Sequence, residues 1–249
     1  MGFDAIWISP IVENTEGGYH GYWAKDLYKL NENFGTEKEF KDLIEEMHRR
    51  DIWLMVDVVA NHVGPIGEDY DQIVQFDKEE HYHDYCDINQ DDFLNDQWRV
   101  ENCRLAYLPD LNTESDFVIN TLYDWIQWLI KEYDVDGLRI DTIPEVPKEF
   151  WRGFQEKAGC YAVGEVFDGR IEYIADYQKK TGGGVDALLN YPLSITMKNV
   201  WARHGDMGEI GRTLEAENEH FTDMDALAVF TDNHDNERFL NINGDHKAL

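Results

Sequence analysis

Six short apolar runs, separated by segments with helical spacing of apolar residues, constrain the fold of this chain most strongly. The run 52–60 is continuous and rich in β-branched residues, which is typical of a buried strand in a parallel sheet. The predicted strands are 3–8, 52–60, 134–142, 161–164, 185–189 and 227–230. Strands that alternate with helices predict an α/β fold, and a barrel is favoured over an open sheet because polar residues recur at the strand ends.

Helices are predicted between these strands, and one longer segment interrupts them. Thr36 and Glu39 form a capping box at the start of the first helix. The expected helices cover 36–50, 116–131, 147–158 and 171–179, with one or two more ending near residue 220. Residues 62–114 are polar, acidic and rich in His and Tyr, so we expect a subdomain inserted between two barrel parts, 1–61 and 115–249.

Residues 134–142 carry an unusual pair of charges. Arg139 and Asp141 are two positions apart, so in a strand both side chains lie on one face. On a solvent-facing strand the pair would be unremarkable. Inside a closed barrel, the two charges require partners or a chemical role.

Charge and composition limit the classes of partner. The formal charge is −29, from 51 acidic and 22 basic residues, which disfavours nucleic acid and anionic membranes and favours a neutral ligand. Eight Trp, 13 Tyr and 12 Phe serve either as core filling or as surfaces on which a ligand stacks. We find no signal peptide and no membrane-spanning run, and we expect the chain to be an internal piece of a longer protein.

The three cysteines are too few to build a disulfide-dominated fold. Cys86 and Cys103 both lie in the polar insertion, where they are able to close a loop. Cys160 lies in a separate apolar strand, and we expect it to be a buried thiol.

Four predicted strands end in acids: Asp57, Asp141, Glu165 and Asp235. In a parallel barrel all strand C-termini lie on one face, so these carboxylates are expected to converge. Any one of them alone would more often cap the following helix. Neighbouring carboxylates push their pKa values apart, so one acid is able to protonate a glycosidic oxygen while another attacks the anomeric carbon.

Four ordered segments resemble the signature regions of the α-amylase family of glycoside hydrolases. They are Asp57-Val-Val-Ala-Asn-His62, Gly137-Leu-Arg-Ile-Asp-Thr142, Gly164-Glu-Val-Phe-Asp-Gly169 and Thr231-Asp-Asn-His-Asp-Asn236, and Leu108-Pro-Asp-Leu-Asn112 resembles a fifth. The flanking stretches Tyr19-His-Gly-Tyr-Trp23 and Leu30-Asn-Glu-Asn33 are most similar to the fungal-type secreted α-amylases. The resemblance covers nearly the whole chain in the right order.

This resemblance implies an incomplete (β/α)8 TIM barrel, from the family's second strand to its seventh, with a calcium-binding subdomain inserted after the third strand. The first and eighth strands and the C-terminal β domain would be absent. Because a barrel that lacks two strands has open edges, we expect this piece alone to fold poorly or aggregate.

The resemblance also implies residue roles. Asp141 would be the nucleophile, Glu165 the general acid/base and Asp235 the carboxylate that stabilises the transition state. Arg139 would order Asp141, and Tyr22 would stack under the sugar. The residues implied to contact substrate are Tyr22, His20, Trp23, Asp57, His62, Arg139 and His234. A single histidine is more often structural, but these three lie in or beside family motifs.

A structural calcium ion is a further implication. Asn61, Glu101 and Asp110 match the family's ligand positions, and the backbone carbonyl of Glu145 is a candidate fourth ligand. The alternative for Glu101 and Asp110 is plain surface charge. The Cys86–Cys103 pair resembles the insertion disulfide of the fungal-type enzymes, which implies an extracellular or secretory/lysosomal-type compartment.

The expected activity is retaining hydrolysis of internal α-1,4 bonds in starch or glycogen by a monomer. Pro144 and Glu145 stand where the fungal-type pattern has Lys-His, which leaves chain-length preference and transglycosylation open. An α-glucosidase, maltogenic or transglycosylating member of the family is therefore one alternative. A non-catalytic carbohydrate- or partner-binding relative is the other.

Overall fold

The computed structural model describes residues 2–67 and 69–245. They divide into two compact units, Met1–Ala162 and Val163–Leu249, called here the first and the second unit. No helix within the described ranges is both long and apolar enough to cross a lipid bilayer.

The first unit alternates strands and helices as the sequence predicts. Its strands are β1 Ala5–Ile8, β2 Val12–Asn14, β3 Ala24–Leu30, β4 Trp53–Val58 and β5 Gly137–Ile140, and β6 begins at Tyr161. Its helices are α1 Glu37–Arg49, α2 Asp92–Asn95, α3 Gln97–Asn102, α4 Asp116–Tyr133 and α5 Lys148–Ala158. The observed strands are up to a few residues shorter than the predicted ones, because the apolar runs continue beyond the residues that pair in the sheet.

A parallel sheet with the order β1-β4-β5 forms the centre of the first unit. Leu54 and Val56 on β4 and Leu138 and Ile140 on β5 are buried on one face, and Asp57 and Arg139 are buried on the opposite face, as expected for parallel strands covered on both sides. Asp57 is the register partner of Arg139 in this sheet. The register therefore places an acid beside a base at the C-terminal ends of two adjacent strands.

The antiparallel hairpin of β2 and β3 was not predicted. Val12 pairs with Leu30 and Asn14 with Ala24, with register shifts between them. The hairpin carries the loop 17–23, which the Asn14 side chain holds in place. The Asn14 amide donates to the carbonyls of Val12 and Gly21 and accepts from the Trp23 N–H.

Helix packing in the first unit follows local sequence signals. Thr36 and Glu39 form the predicted capping box, with reciprocal hydrogen bonds at the start of α1. On α4, Trp125 and Leu129 are buried, while Trp128 is half-buried and packs against Tyr28 with the two rings tilted by 54°. The predicted apolar face of α4 is therefore confirmed.

The segment 62–114 contains turns, single-turn helices, α2 and α3, and a disulfide joins Cys86 to Cys103. The predicted pairing of these cysteines is confirmed. Cys160 lies just before β6 and is half-buried rather than buried, because it precedes the protected part of the strand.

Replacing both Cys86 and Cys103 with Ser is expected to lower the free energy of unfolding by about 3 kcal/mol, because the unfolded chain regains the entropy of an open loop. Cys160→Ser is the control and should change stability far less. Chemical denaturation measures both variants, and equal losses would contradict the prediction.

The second unit continues β6, which ends at Gly164, and pairs it in parallel with β7, Ala187–Leu188. Its helices are α6 Ile171–Ala175, α7 Tyr191–Met197, α8 Gly208–His220 and α9 Phe239–Ile242. The strand predicted over 227–230 was wrong. Only Ala228 pairs there, through one parallel bridge to Leu189, and Val229 is 60% exposed.

Glu217 on α8 is fully buried. Burial raises the pKa of its carboxyl group, and the Asn190 side chain opposes this shift in part. A carboxyl whose pKa is raised on folding stabilises the native state below its unfolded pKa of about 4.3. This contribution is lost as the pH rises through the native pKa.

Glu217→Gln is therefore expected to flatten the fall of unfolding free energy between pH 5 and pH 8, with a gain at pH 8 of about 1–3 kcal/mol. Urea denaturation at both pH values measures this. Glu219→Gln, at an exposed position on the same helix, is the matched control. A pH slope identical in the two variants would refute the assignment.

Candidate active site

A buried arginine joins two carboxylates at the ends of β4 and β5. Nη1 of Arg139 donates to both oxygens of Asp57, at 2.9 and 3.1 Å, and to Oδ1 of Asp141 at 2.6 Å. The Arg139 and Asp57 side chains have no solvent exposure, and the Asp141 side chain is 12% exposed. The guanidinium therefore orients Asp141 at the edge of solvent while Asp57 stays inside.

Two aromatic residues complete this group, which we call the arginine cluster: Trp7, Tyr22, Asp57, Arg139 and Asp141. Oδ2 of Asp57 accepts hydrogen bonds from Tyr22 Oη at 2.8 Å and from Trp7 Nε1 at 3.1 Å. The guanidinium carbon of Arg139 lies 5.3 Å from the Trp7 ring centroid and 6.0 Å from that of Tyr22. Both rings thus contribute cation–π attraction as well as packing.

Ionisation in the arginine cluster reflects burial. Burial raises the pKa of Asp57, and the Asp141 charge adds to the rise, while Arg139 and the Tyr22 hydrogen bond oppose it. Burial, followed by the charge of Asp57, raises the pKa of Tyr22, so its hydroxyl remains a donor. Two carboxylates therefore share one guanidinium where water is scarce.

Arg139→Met is expected to lower the free energy of unfolding by about 3–5 kcal/mol, because it leaves two carboxylates without their counter-charge. Arg49→Met, where the side chain is 65% exposed and pairs with Glu46, should cost less than about 1 kcal/mol. Urea denaturation compares the variants. A loss at Arg139 no larger than at Arg49 would contradict this role.

Thr142, directly after Asp141, has an unusual backbone conformation. Its φ of +52° lies in the left-handed region, which β-branched residues rarely adopt. The Asp141 N–H still donates to the Val58 carbonyl at 3.0 Å, so the chain leaves the sheet at Thr142. Strained residues of this kind cluster at functional sites.

Two histidines and one tryptophan lie beside the arginine cluster. Burial lowers the pKa of His62 to about 4, so the ring is neutral near pH 7. His20 accepts the Tyr22 N–H at Nδ1, 3.1 Å away, and its ring lies 4.9 Å from that of Trp23. The close approach of this loop to Pro10 requires Gly21, since a Cβ there would lie 2.6 Å from the Pro10 carbonyl oxygen.

The Asn61 amide, the Asp110 carboxylate and the Glu145 carbonyl meet next to His62, in what we call the oxygen cluster. One end of the Asn61 amide lies 3.0 Å from the Glu145 carbonyl oxygen and 3.0 Å from Oδ1 of Asp110, where the amide nitrogen would donate to both. Asn61 is 1% and Asp110 2% exposed. With the amide oxygen at that end instead, the three oxygens would repel one another unless a cation lay between them.

The oxygen cluster has the hard donors that Ca²⁺ prefers: an amide oxygen, a carboxylate and a main-chain carbonyl. It holds one carboxylate, and among residues 2–67 and 69–245 no three His, Cys, Asp or Glu side chains converge as metal ligands. Glu101 contacts Gln97 at 2.9 Å, and Gln97 also donates to the Pro144 carbonyl. Gln97 thus joins Glu101 to the carbonyl of Pro144, the residue before Glu145.

His83 was not predicted from the sequence. Its Nδ1 lies 2.7 Å from Oδ2 of Asp110 and its Nε2 lies 2.6 Å from Oε2 of Glu114. Burial alone would lower the pKa of His83, but the hydrogen bonds to the two acids raise it to about 9. Burial raises the pKa of Asp110 to about 7, against the effect of His83.

In the second unit, Glu165 belongs to a hydrogen-bonded group that we call the tyrosine cluster: Glu165, Tyr191, Asn233 and Asn236. Tyr191 Oη donates to Oε1 of Glu165 at 2.9 Å, and it accepts from Asn233 Nδ2 at 3.0 Å and from Asn236 Nδ2 at 3.4 Å. Glu165 is 8% exposed. This chain of donors fixes the Glu165 carboxyl group.

Asp235 and His234 lie beside the tyrosine cluster. The Asp235 N–H donates to Asn233 Oδ1 at 3.0 Å, and His234 Nε2 lies 3.2 Å from Oδ2 of Asp235. The Asp235 side chain is 42% exposed and that of His234 40% exposed. Both are therefore accessible to a ligand.

Comparison with known proteins decides the family. The sequence model of the α-amylase catalytic domain matches residues 1–249. The chain belongs to the α-amylase family. Alpha-amylase 2 of Schizosaccharomyces pombe is 38% identical over all of this chain and 45% of its own length, and the Saccharomycopsis fibuligera α-amylase is 38% identical over all of this chain and 52% of its own.

Solved structures agree. The Malbranchea cinnamomea α-amylase has a TM-score of 0.93 at 40% identity, over 99% of this chain and 54% of that one. The Geobacillus thermoleovorans α-amylase, solved with acarbose, has a TM-score of 0.88 at 36% identity, over 99% of this chain and 55% of that one. This α-amylase-family chain spans about half the length of these relatives. Its parallel strands are consistent with an incomplete (β/α)8 barrel, and the fungal-type resemblance is confirmed.

In this α-amylase-family chain, most of the site residues predicted within 1–162 lie in the arginine cluster, beside it or in the oxygen cluster. Glu165, His234 and Asp235 lie near one another in the second unit. The sequence analysis missed Trp7. It lies on β1, next to β4, and its register partner Met55 is two residues before Asp57, so the alternation of side chains along the strands places Trp7 and Asp57 on the same face. Tyr191 follows a strand end, and Asn233 lies within a quoted motif. For His83, one of several histidines in the insertion, no local signal exists.

Proposed function

We propose that this chain is the catalytic part of a retaining glycoside hydrolase that cleaves internal α-1,4-glucosidic bonds of starch or glycogen. The observation that supports this most is the arginine cluster, in which a buried guanidinium orients a solvent-edge carboxylate, Asp141, within a chain of the α-amylase family. The acarbose bound by the Geobacillus relative adds support for an oligosaccharide ligand.

In the proposed reaction Asp141 attacks the anomeric carbon while Glu165 protonates the departing glycosidic oxygen, so a C–O bond to the enzyme forms as the glycosidic C–O bond breaks. Glu165 then takes a proton from a water molecule, which attacks the anomeric carbon and releases Asp141. Asp235 stabilises the oxocarbenium-like transition state. Two inversions leave the product in the α configuration.

Substrate contacts are proposed for residues around the arginine cluster. Tyr22 presents its ring to the sugar, and burial holds His62 neutral near pH 7, so one ring nitrogen is able to accept a hydrogen bond from a sugar hydroxyl. Nε2 of His62 is buried and makes no hydrogen bond within the part of the chain that the structure describes, and a sugar hydroxyl would supply the partner that this nitrogen lacks. His20 and Trp23 extend this surface within the first unit, and His234 of the second unit is proposed as a further substrate contact.

We also propose that the oxygen cluster binds calcium. Asn61, Asp110 and the Glu145 carbonyl supply the inner oxygens, and Glu101 adds a carboxylate through a shift of its Gln97 contact. Bound there, the ion would neutralise Asp110 and tie the insertion to the strand ends. The disulfide supports an oxidising, secretory-type compartment for the protein.

Proton NMR of fresh maltoheptaose digests tests the central proposal: the α-anomer of the new reducing end should appear first and mutarotate to the β-anomer. Soluble starch should lose iodine staining while long oligosaccharides are still present. First appearance of the β-anomer would exclude the retaining mechanism. Release of glucose or maltose alone, with iodine staining retained, would exclude internal cleavage.

A second candidate is a transglycosylating member of the family. Pro144 and Glu145 stand where the fungal-type pattern has Lys-His, so the resemblance leaves transglycosylation open at these positions. A cyclomaltodextrin glucanotransferase is also among the similar structures, at 26% identity and a TM-score of 0.87. Products longer than the maltoheptaose supplied would identify this activity.

A further inference from the structure

His83 contacts Asp110 through both its backbone and its side chain. The His83 N–H donates to the Asp110 carbonyl at 3.1 Å, and its imidazole Nδ1 lies 2.7 Å from the carboxylate Oδ2. The side chain of His83 is 11% exposed and that of Asp110 is 2% exposed. Both the backbone and the side chain of Asp110 are therefore held by one residue, away from bulk water.

The two carboxylate oxygens of Asp110 have different partners. Oδ2 is engaged by His83, and Oδ1 faces the Asn61 amide, which also lies against the Glu145 carbonyl. Rotation of the carboxylate would break the His83 contact and move Oδ1 out of the oxygen cluster. The imidazole thus fixes which Asp110 oxygen faces the proposed cation.

Glu114 completes the arrangement from the outside. Its Oε2 lies 2.6 Å from Nε2 of His83, and its side chain is 50% exposed. A histidine with a carboxylate at each ring nitrogen has a fixed ring orientation, because a flip of the ring would break both contacts. Residues that orient ligands in this way typically change metal affinity 10- to 100-fold when removed.

We propose that His83 is a positioning residue for calcium: held by Glu114, it orients the Asp110 carboxylate so that Oδ1 enters the ion's coordination sphere. This inference rests on the proposed calcium site. His83 is not one of the predicted calcium ligands, and in this proposal it does not bind the ion directly.

The test is calcium affinity, measured by isothermal titration calorimetry on the complete protein after removal of bound metal. His83→Ala is expected to weaken calcium binding about 10- to 100-fold. His83→Asn places its amide nitrogen where Nδ1 stands and should recover binding to within about threefold of the parent. Glu114→Gln should fall between them.

His48→Ala is the matched control. Nε2 of His48 also lies close to a half-buried carboxylate, Oδ2 of Asp136, at 2.8 Å, but this pair does not include a residue of the oxygen cluster. It should alter melting temperature and leave calcium affinity unchanged. A purely structural role for His83 would lower the melting temperature equally with and without calcium. A positioning role predicts the larger loss with calcium present.

Two results would overturn the inference, and they are distinguishable. A folded His83→Ala protein with parental calcium affinity removes the role of His83 and leaves the calcium site standing. If the parent protein binds no calcium, both the proposed calcium site and the role of His83 are wrong. Starch hydrolysis by that same parent would show that the proposed enzymatic function survives.

Discussion

Asp141→Asn is expected to reduce kcat for starch hydrolysis by about 10⁴- to 10⁶-fold, because the amide lacks the charge needed to form the glycosyl ester. The substitution is nearly isosteric, so Arg139 keeps its two bonds to Asp57, and the fold should persist. Initial rates on soluble starch, with circular dichroism of the same sample, measure the effect.

The control for this prediction is Asp134→Asn, where the side chain is 92% exposed at the C-cap of α4 in the left-handed conformation that Asn also tolerates. Its activity should match that of the parent. If a folded Asp141→Asn protein keeps more than about one hundredth of parental kcat, Asp141 is not the nucleophile.

Glu165→Gln should lower the rate on starch by about 10²- to 10⁴-fold, since the glutamine cannot protonate the leaving oxygen or activate water. Tyr191 is able to keep its hydrogen bond to the amide oxygen, so the tyrosine cluster should remain intact. Substrates with an activated aryl leaving group need little protonation and should lose far less in the first step.

Azide sharpens this second test. It needs no general base, so it should accelerate turnover of an activated aryl maltoside by Glu165→Gln and yield the α-glycosyl azide. Glu172→Gln, at a side chain that is 81% exposed on α6, should behave as the parent. Starch hydrolysis at the parental rate, or no response to azide, would remove Glu165 from the acid/base role.

Secondary structure was predictable where a local signal is strong. The strand Tyr161–Gly164 is found at its predicted bounds, because a short apolar run ends at a glycine and an acid. The capping box of α1 is also where Thr36 and Glu39 require it. In both cases the residues that determine the structure lie within four positions of one another.

Prediction failed where pairing decides the structure. The hairpin of β2 and β3 has mixed polarity and shifted register, so alternation along the sequence is weak. Residues 227–230 are apolar enough for a strand, but only Ala228 has a pairing neighbour, at Leu189. A strand needs a partner along its length, and composition alone does not supply one.

For the candidate site, the sequence by itself determined the chemistry: acids at strand ends, an arginine two residues before Asp141, and oxygen donors in and after the insertion. Only the tertiary structure decided the partners. Asp57 is 50 residues from Trp7 and 82 from Arg139, and Asp110 is 27 from His83. Such contacts depend on strand register and on the path of the inserted segment, both of which are set by packing of the whole unit rather than by any local pattern of residues.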